Sequence, residues 1–428
     1  MTRPIVAFAG MTHLGLVSAT VVASVGCETV CFDNDAGLIE RLKKGEVPVV
    51  EPDLPELLRS NGERQKFTSS VSDIVRCDVV YVALDITTDD QGRSDTSALT
   101  ALIDLIVPVM RPQAVLIVLS QVEPGFTRAL SAPVPEKRYY QVETLIFGRA
   151  VERATKPERY IVGCADPSRP LDPNLKMVLE AFNCPILPMR YESAELAKIS
   201  INCCLVASVS VVNTLAELCE KIGADWSEIV PALKLDRRIG THAYLAPGLG
   251  VAGGNLERDL ATVARLSDTH GTEAGLIAAW LRNSRYRRDW PLRQLNPRVL
   301  SVLAEPVIGI LGVAYKENTH SIKNSPAVAL IKALAGCRLR VFDPAVRASA
   351  EWHPHMTVTD DPLAACDGAD AVVIMTPWPQ FRALTPTDMI GRLRGRVVVD
   401  PFSVLDRAAA AAVGLEHVVL GAPLVDVE

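Results

Sequence analysis

The feature that most restricts the fold is a short unit near the start of the chain. Ile5 to Ala9 is an uncharged apolar run, suited to a strand buried on both faces. Gly10 and Gly15 bracket a turn, Leu16 to Val25 reads as a helix closed by Gly26, and Thr29 to Phe32 reads as a second strand ending at Asp33. A strand, a glycine turn, a helix and a strand that ends in an acid about 20 residues on form a βαβ unit of the dinucleotide-binding kind. The helix N-terminus of such a unit presents free N–H groups to a pyrophosphate. The acid accepts from ribose hydroxyls, which favours NAD over NADP. The order Gly10-x-Thr12-x-x-Gly15 puts threonine at the middle glycine. Thr12 either hydrogen-bonds a phosphate or crowds it, and the sequence leaves both open. Gly10, Thr12, His13, Leu14, Gly15 and Asp33 are the candidate cofactor residues here.

The alternation continues. Val79 to Leu84, Val115 to Leu119 and Ile161 to Gly163 read as buried strands, with a helix over Leu99 to Val109 between the first two. That order predicts a parallel, doubly wound sheet. Ser120 to Thr127 follows the carboxyl end of a strand, where ligands bind in such sheets. From Tyr191, apolar residues Leu196, Ile199, Leu205, Val212, Leu215 and Cys219 recur at helical spacing to Ile222, and Gly223 ends the run. This predicts a helix of about 30 residues and about 45 Å, an inter-domain spine or a dimer seam. Asp225 and Glu228 form a capping pair for the next helix. A second α/β region starts near Val299, with strands at Pro306 to Val313, Leu339 to Phe342 and Ala371 to Met375, and a helix opened by Ser325-Pro326. Arg282 to Arg298, rich in Arg and Pro, is the expected hinge. The predicted fold is α/β: two Rossmann-like doubly wound domains joined by a long central helix and a helical middle region. The expected boundaries are 1–190, 191–296 and 297–428.

Composition narrows the partners. A net charge of −6 over 428 residues argues against a nucleic-acid surface. The ten cysteines include no C-x-x-C pair and no zinc spacing. They read as small buried hydrophobes in a reduced compartment, and no metal is expected. Ile5 to Gly26 is nearly uncharged, but Gly10, His13, Gly15 and Gly26 interrupt it, so a strand, turn and helix is the better reading than a signal peptide or membrane span. A cytoplasmic protein without a membrane partner is the expectation.

The chemistry gathers in Pro247 to Asp259, PGLGVAGGNLERD. Gly250, Gly253 and Gly254 allow tight turns and close approach to a ligand. Asn255 stands where a helix begins. A cysteine there would have a lowered pKa and act as a nucleophile. Asparagine caps a helix well, but it cannot form a thioester. Upstream, Lys198 and Asn202 lie four apart and share a helix face. On pattern alone Lys198 is either a snorkelling surface residue or a buried cation with a task.

With these stretches in hand, the chain resembles the UDP-glucose/GDP-mannose dehydrogenase family over essentially its full length. The matching motifs are Pro124 to Thr127 (PGFT), ELAK with Asn202 beyond Lys198, Arg238 to Gly240, the GG…D of the glycine loop, and Lys316, Asn318-Thr319, Ser325-Pro326-Ala327 and Trp378. The resemblance implies an NAD-binding first domain, a helical middle with the homodimer contact, and a last domain for the nucleotide of a nucleotide-sugar substrate. It implies a task for Lys198, which would stabilise negative charge on the reacting oxygen. Asn202 would help hold that oxygen, Asp259 would position a water, and Glu143 would lie near the nicotinamide. Gln121 and Lys316 join the cofactor residues. The implied substrate contacts are Glu143, Thr144, Leu145, Arg238, Tyr244, Gly250, Gly253 and Lys316, with Arg238 an arginine that reaches a neighbouring subunit.

The family oxidises a primary alcohol twice, through a cysteine thioester. Aligning GGNLERD on the family's GGSCFPKD puts Asn255 at that cysteine and Arg258 at its lysine, and Gln121 falls at the threonine near the hydrolytic water. The expectation is an NAD-dependent oxidoreductase that transfers one hydride and stops at a keto- or aldehydo-sugar, or returns the hydride as an epimerase. A full four-electron dehydrogenase and a catalytically silent binding homologue are the alternatives. Cys203 and Cys204 lie on the helix carrying Lys198, but Cys203, one residue from Asn202, points elsewhere, so a replacement of the missing thiol by either is not the expectation.

Overall fold

The computed structural model describes residues 3–89 and 92–423. It forms two compact units, Met1–Ile201 and Asn202–Glu428. The first is built on strands β1 (Ile5–Ala9), β2 (Glu28–Phe32), β3 (Gln65–Thr68), β4 (Val79–Val82), β7 (Val115–Val118), β8 (Arg138–Gln141), β9 (Tyr160–Cys164) and β10 (Ile186–Arg190), with a small hairpin of β5 (Thr87–Thr88) and β6 (Ser94–Asp95). The eight long strands lie in the order β10-β9-β8-β7-β4-β1-β2-β3. Ala7 of β1 faces Val30 of β2 and Val80 of β4, so the glycine turn after β1 sits mid-sheet. The pairs are parallel except β8 with β9, which is antiparallel. That reversal departs from the expected all-parallel sheet. β9 and β10 are thereby appended to the parallel core in the opposite sense.

The apolar runs explain the layers. β1, β4 and β7 have neither face in water, because helices cover both sides. Val6, Phe8, Tyr81 and Ile117 pack with the first helix on one face. Ala7, Val80, Leu116 and the helix at Leu99–Ile106 pack on the other. The first helix, His13–Ser24, starts three residues before the predicted Leu16.

The helix predicted from Tyr191 spans Tyr191–Ile222, 32 residues. By length and apolarity alone it could cross a membrane. Tyr191 and Ala194 pack into the first unit, and Val212, Ala216 and Cys219 into the second. Asp225 caps the next helix, Trp226–Leu235, by accepting from the Ser227 N–H.

The second unit holds β11 (Val307–Leu311), β12 (Arg338–Phe342), β13 (Met356–Val358), β14 (Ala371–Ile374), β15 (Val397–Asp400) and β16 (Glu416–Val419). They form a wholly parallel sheet in the order β13-β12-β11-β14-β15-β16. The expected hinge at Arg282 to Arg298 is instead helical and packed, with helices Gly275–Arg288 and Trp290–Leu295. Arg287 and Trp290 are sealed from water there. The Arg287 guanidinium lies 2.9 Å from Glu217 and 3.9 Å from Glu220. A buried charge needs such partners, and they turn an Arg-rich stretch into core.

The glycine turn itself is set by contact. A Cβ on Gly15 would lie 1.8 Å from the Gly10 carbonyl oxygen, so the helix approaches the turn as closely as backbone allows. Gly15→Ala should therefore destabilise the protein by about 1–3 kcal/mol, the usual range for overpacking, read as a lower urea midpoint. An unchanged midpoint would show that the turn yields.

Candidate active site

The turn after β1 points into a crevice. Gly10 has φ +95 and donates to the Phe32 carbonyl at 2.9 Å, which bends the chain toward β2. Asp33, at the end of β2, accepts from Met11 N at 2.7 Å and from Asp35 N at 2.9 Å. Gly10, Asp33, Asn34, Leu84, Ala98, Ala101 and Leu102 line a cavity of about 290 Å³. Thr12, left open by the sequence, is fastened to the end of β4: its hydroxyl donates to the Ala83 carbonyl and accepts from Asp85 N, both at 3.2 Å. Leu14 is buried in the core. His13 is also buried, and its Nε2 lies 2.8 Å from a Glu51 oxygen.

On the same unit, Glu143 follows β8 and its carboxylate lies 3.9 Å from the Lys198 ammonium. Both side chains are mostly shielded, so the burial that pattern alone left open for Lys198 is that of a paired cation. Glu143 also accepts from the Leu145 N–H. Thr144 and Leu145 continue the loop and, with Glu143, border a narrow cavity of about 60 Å³ beside Tyr81 and Tyr160. One turn before Lys198, Glu195 is fully buried. Its oxygens accept from Gly125 N at 2.6 Å and Thr127 N at 2.9 Å, which holds the PGFT turn after β7. Burial pushes the Glu195 carboxyl above its usual range, opposed by those hydrogen bonds. Gln121 lies at the start of that turn, partly buried.

In the second unit, Asp259 is almost sealed from water. It accepts from the Asn202 amide at 2.5 Å, and the Arg258 guanidinium is 3.4 Å away. The glycine loop before it is held by side chains on several segments. Asn213, on the central helix, accepts from Gly248 N at 2.8 Å, and Ser284 accepts from Val251 N at 2.8 Å. Gly250 has φ +84, and a Cβ there would meet the Ser284 carbonyl at 2.4 Å. Gly253 donates to the Lys323 carbonyl at 3.1 Å, and Asn324 donates to the Gly253 carbonyl at 3.0 Å. Gly254 is the N-cap of the helix Asn255–His270, so Asn255 is its first residue and not its cap. Its side chain is exposed.

The Cys203 thiol is not poised as a nucleophile. Burial, reinforced by the Asp259 charge, pushes the Cys203 thiol up to about 11, so it stays protonated at neutral pH. Cys204 is exposed on the central helix. Among the described residues no cluster of three or more His, Cys, Asp or Glu side chains could hold a metal.

Further along, Asp343 at the end of β12 organises the loop that bears Lys316. Its Oδ2 accepts from Val313 N at 2.6 Å, Ala314 N at 3.0 Å and the Trp378 indole at 3.1 Å. Lys316 is half-buried, with its ammonium 5.7 Å from the Tyr315 ring. Tyr244 borders a cavity of about 630 Å³ at the carboxyl ends of β14, β15 and β16, with Lys234, Arg382 and Phe402 in its walls. Rings and cations together are the surface that a nucleotide's base and phosphates need. Arg238 lies outside that cavity, exposed and paired with Asp236 at 2.6 Å.

The structure thus joins Glu143 with Lys198 and Asn202 with Asp259, and gathers Gly10 and Asp33 round one crevice. It turns His13 away toward Glu51. Sequence reasoning missed Glu51, Glu195, Asn213 and Ser284. The available signal was an acid or amide set among apolar neighbours, such as Glu195 beside Ala194 and Leu196.

NAD fits the first of these sites. Asp33 and Leu84 both line the crevice, an added Cβ at Gly10 would strike the Leu84 side chain at 2.6 Å, and one at Gly15 would break the turn. Comparison with known proteins agrees. Residues 5–180 match the NAD binding domain of the UDP-glucose/GDP-mannose dehydrogenase family, 192–285 its central domain and 309–407 its UDP binding domain. The chain is 28% identical over 435 residues to the UDP-glucose 6-dehydrogenase TuaD of Bacillus subtilis, covering 98% of this chain and 94% of that one. It is 26% identical to a UDP-glucose 6-dehydrogenase of Pseudomonas aeruginosa, covering 97% and 96%. Its fold is similar to a UDP-glucose dehydrogenase from Pyrobaculum islandicum, with TM-score 0.84, 28% identity, and coverage of 95% and 98%. With three consecutive domain models of one family matched in order along it, and an NAD-binding domain at its start, the chain belongs to the UDP-glucose/GDP-mannose dehydrogenase family.

Proposed function

We propose that this protein oxidises a CH–OH group of a nucleotide sugar by one hydride transfer and releases the carbonyl compound. The observation that carries this reading is the side chain at the head of the helix Asn255–His270: an exposed asparagine, with the nearby Cys203 thiol held protonated. An amide nitrogen is too weak a nucleophile to capture an aldehyde as a thiolate would. The half of the site that serves oxidation remains. NAD, held at Gly10, Gly15 and Asp33, supplies the hydride acceptor when bound. Lys198 places a cation for the developing alkoxide, and Asn202 adds an amide donor. Asp259, kept in place by Asn202 and Arg258, takes the hydroxyl proton through a water. Glu143 holds the Lys198 ammonium in orientation. The relatives' names favour a second reading, a four-electron dehydrogenation, and by the thioester route that reading needs a sulfur nucleophile at or near Asn255.

Two outcomes follow for the chemistry. Lys198→Met should lower kcat by about a hundredfold or more, the range for one lost charge-stabilising group. Exhaustive alkylation of the accessible thiols, Cys204 first, should leave turnover of nucleotide sugar unchanged. Inactivation that tracks modification of a single cysteine would restore the thioester reading.

We further infer a homodimer built on the central helix. Val211, Leu215, Leu218 and Ile222 are 57%, 41%, 51% and 66% exposed and recur at spacings of four, three and four. That spacing is a coiled-coil seam. Leu215→Lys with Leu218→Lys should give a folded monomer by light scattering at micromolar concentration, where the parent chain is a dimer. A parent chain that is itself monomeric would remove the proposal.

A further inference from the structure

Glu51 belongs to no motif and to none of the roles above, yet it is the most enclosed carboxylate near the cofactor turn. Its side chain is wholly shielded from solvent. It accepts from two separate segments of the first unit. His13 Nε2 lies 2.8 Å from Oε1, on the first residue of the helix behind the glycine turn. Gly148 N donates to the same oxygen at 2.7 Å, and Ala150 N donates to Oε2 at 3.1 Å. Both amides close the loop that begins at Glu143. A ring contact runs alongside: Phe147 stacks on His13, with centroids 4.2 Å apart and planes inclined by 29°. Phe147 remains 43% exposed on its other side.

We propose that Glu51 is a positioning residue, and that with His13 and Phe147 it forms a strut between the cofactor turn and the Glu143 loop. A buried carboxylate is stable only while its N–H donors are in place. Ordering His13 therefore favours the position of Gly148 and Ala150 that completes the set. Occupancy of the Met11–Gly15 turn by the dinucleotide orders His13, and the loop bearing Glu143, Thr144 and Leu145 is drawn to one position. Glu143 is then held where it meets the Lys198 ammonium. The coupling is reciprocal, as linkage requires: a ligand that holds the loop also tightens binding at the turn. The proposal rests on the cofactor assignment and on the role given to Glu143, but not on how many hydrides are transferred.

Amide hydrogen exchange tests it without turnover, with NAD as the only added ligand. Saturating NAD should slow exchange across residues 144–150 of the parent chain by about tenfold, within the usual range of coupling between sites. In His13→Ala the slowing should fall below about twofold, a loss of nearly all that coupling, while NAD binding by titration calorimetry still saturates. Phe147→Ala cuts the strut from the loop side, leaves the glycine turn intact, and should act in the same way. NAD-dependent slowing that persists in full in either variant, or that is absent from the parent chain, overturns the strut. Because no sugar is present, failure of the nucleotide-sugar reading would leave this result unaffected.

Discussion

The interaction on which the site depends is the one between Asn202 and Asp259. A carboxylate that is 2% exposed cannot be held charged without partners. Asn202 approaches it from the central helix and Arg258 from its own helix. This fixes the phase of two helices against each other, and the loop Pro247 to Gly254 must then bridge a set gap. Asn213, Ser284, Lys323 and Asn324 each satisfy one backbone group of that loop. Gly250 stands where a side chain would strike Ser284, and Gly253 where it would strike the Tyr315 ring. The chemistry proposed for Asp259 and the architecture at Asn202 are in this sense one constraint.

Much of this was legible in the sequence, for physical reasons. Parallel strands buried on both faces must be apolar runs, so β1, β4, β7, β11 and β14 announce themselves. The positive φ at Gly10 and the acid at Asp33 are similarly local. The spacing of Lys198 and Asn202 places them on one helix face, and no other geometry is open to residues four apart in a helix.

What was not legible depended on distant partners. β8 and β9 read as strands or loop on their own terms, and nothing local says that they pair in opposite senses. Arg282 to Arg298 looked like a linker because its charges could not be matched without knowing that Glu217 and Glu220 face Arg287. His13 resembled a cofactor contact because it follows the turn, whereas the carboxylate that claims it lies 38 residues away. The cap was read one residue late, at Asn255, since glycine at 254 fills that role with no side chain to signal it. Buried polar groups that organise loops are read from three-dimensional contacts, and a single sequence seldom reveals them.

In the proposed reaction Lys198, Asn202 and Asp259 serve the removal of one hydride and one proton from an alcohol, and capture of the resulting carbonyl ahead of a second oxidation through a thioester needs a thiol that an asparagine does not provide. The decisive measurement is the ratio of NADH formed to nucleotide sugar consumed at the end point, with the product identified by mass spectrometry under carbonyl trapping. The account predicts one NADH per sugar and a trapped ketone or aldehyde. Two NADH per sugar together with a uronic acid would contradict it.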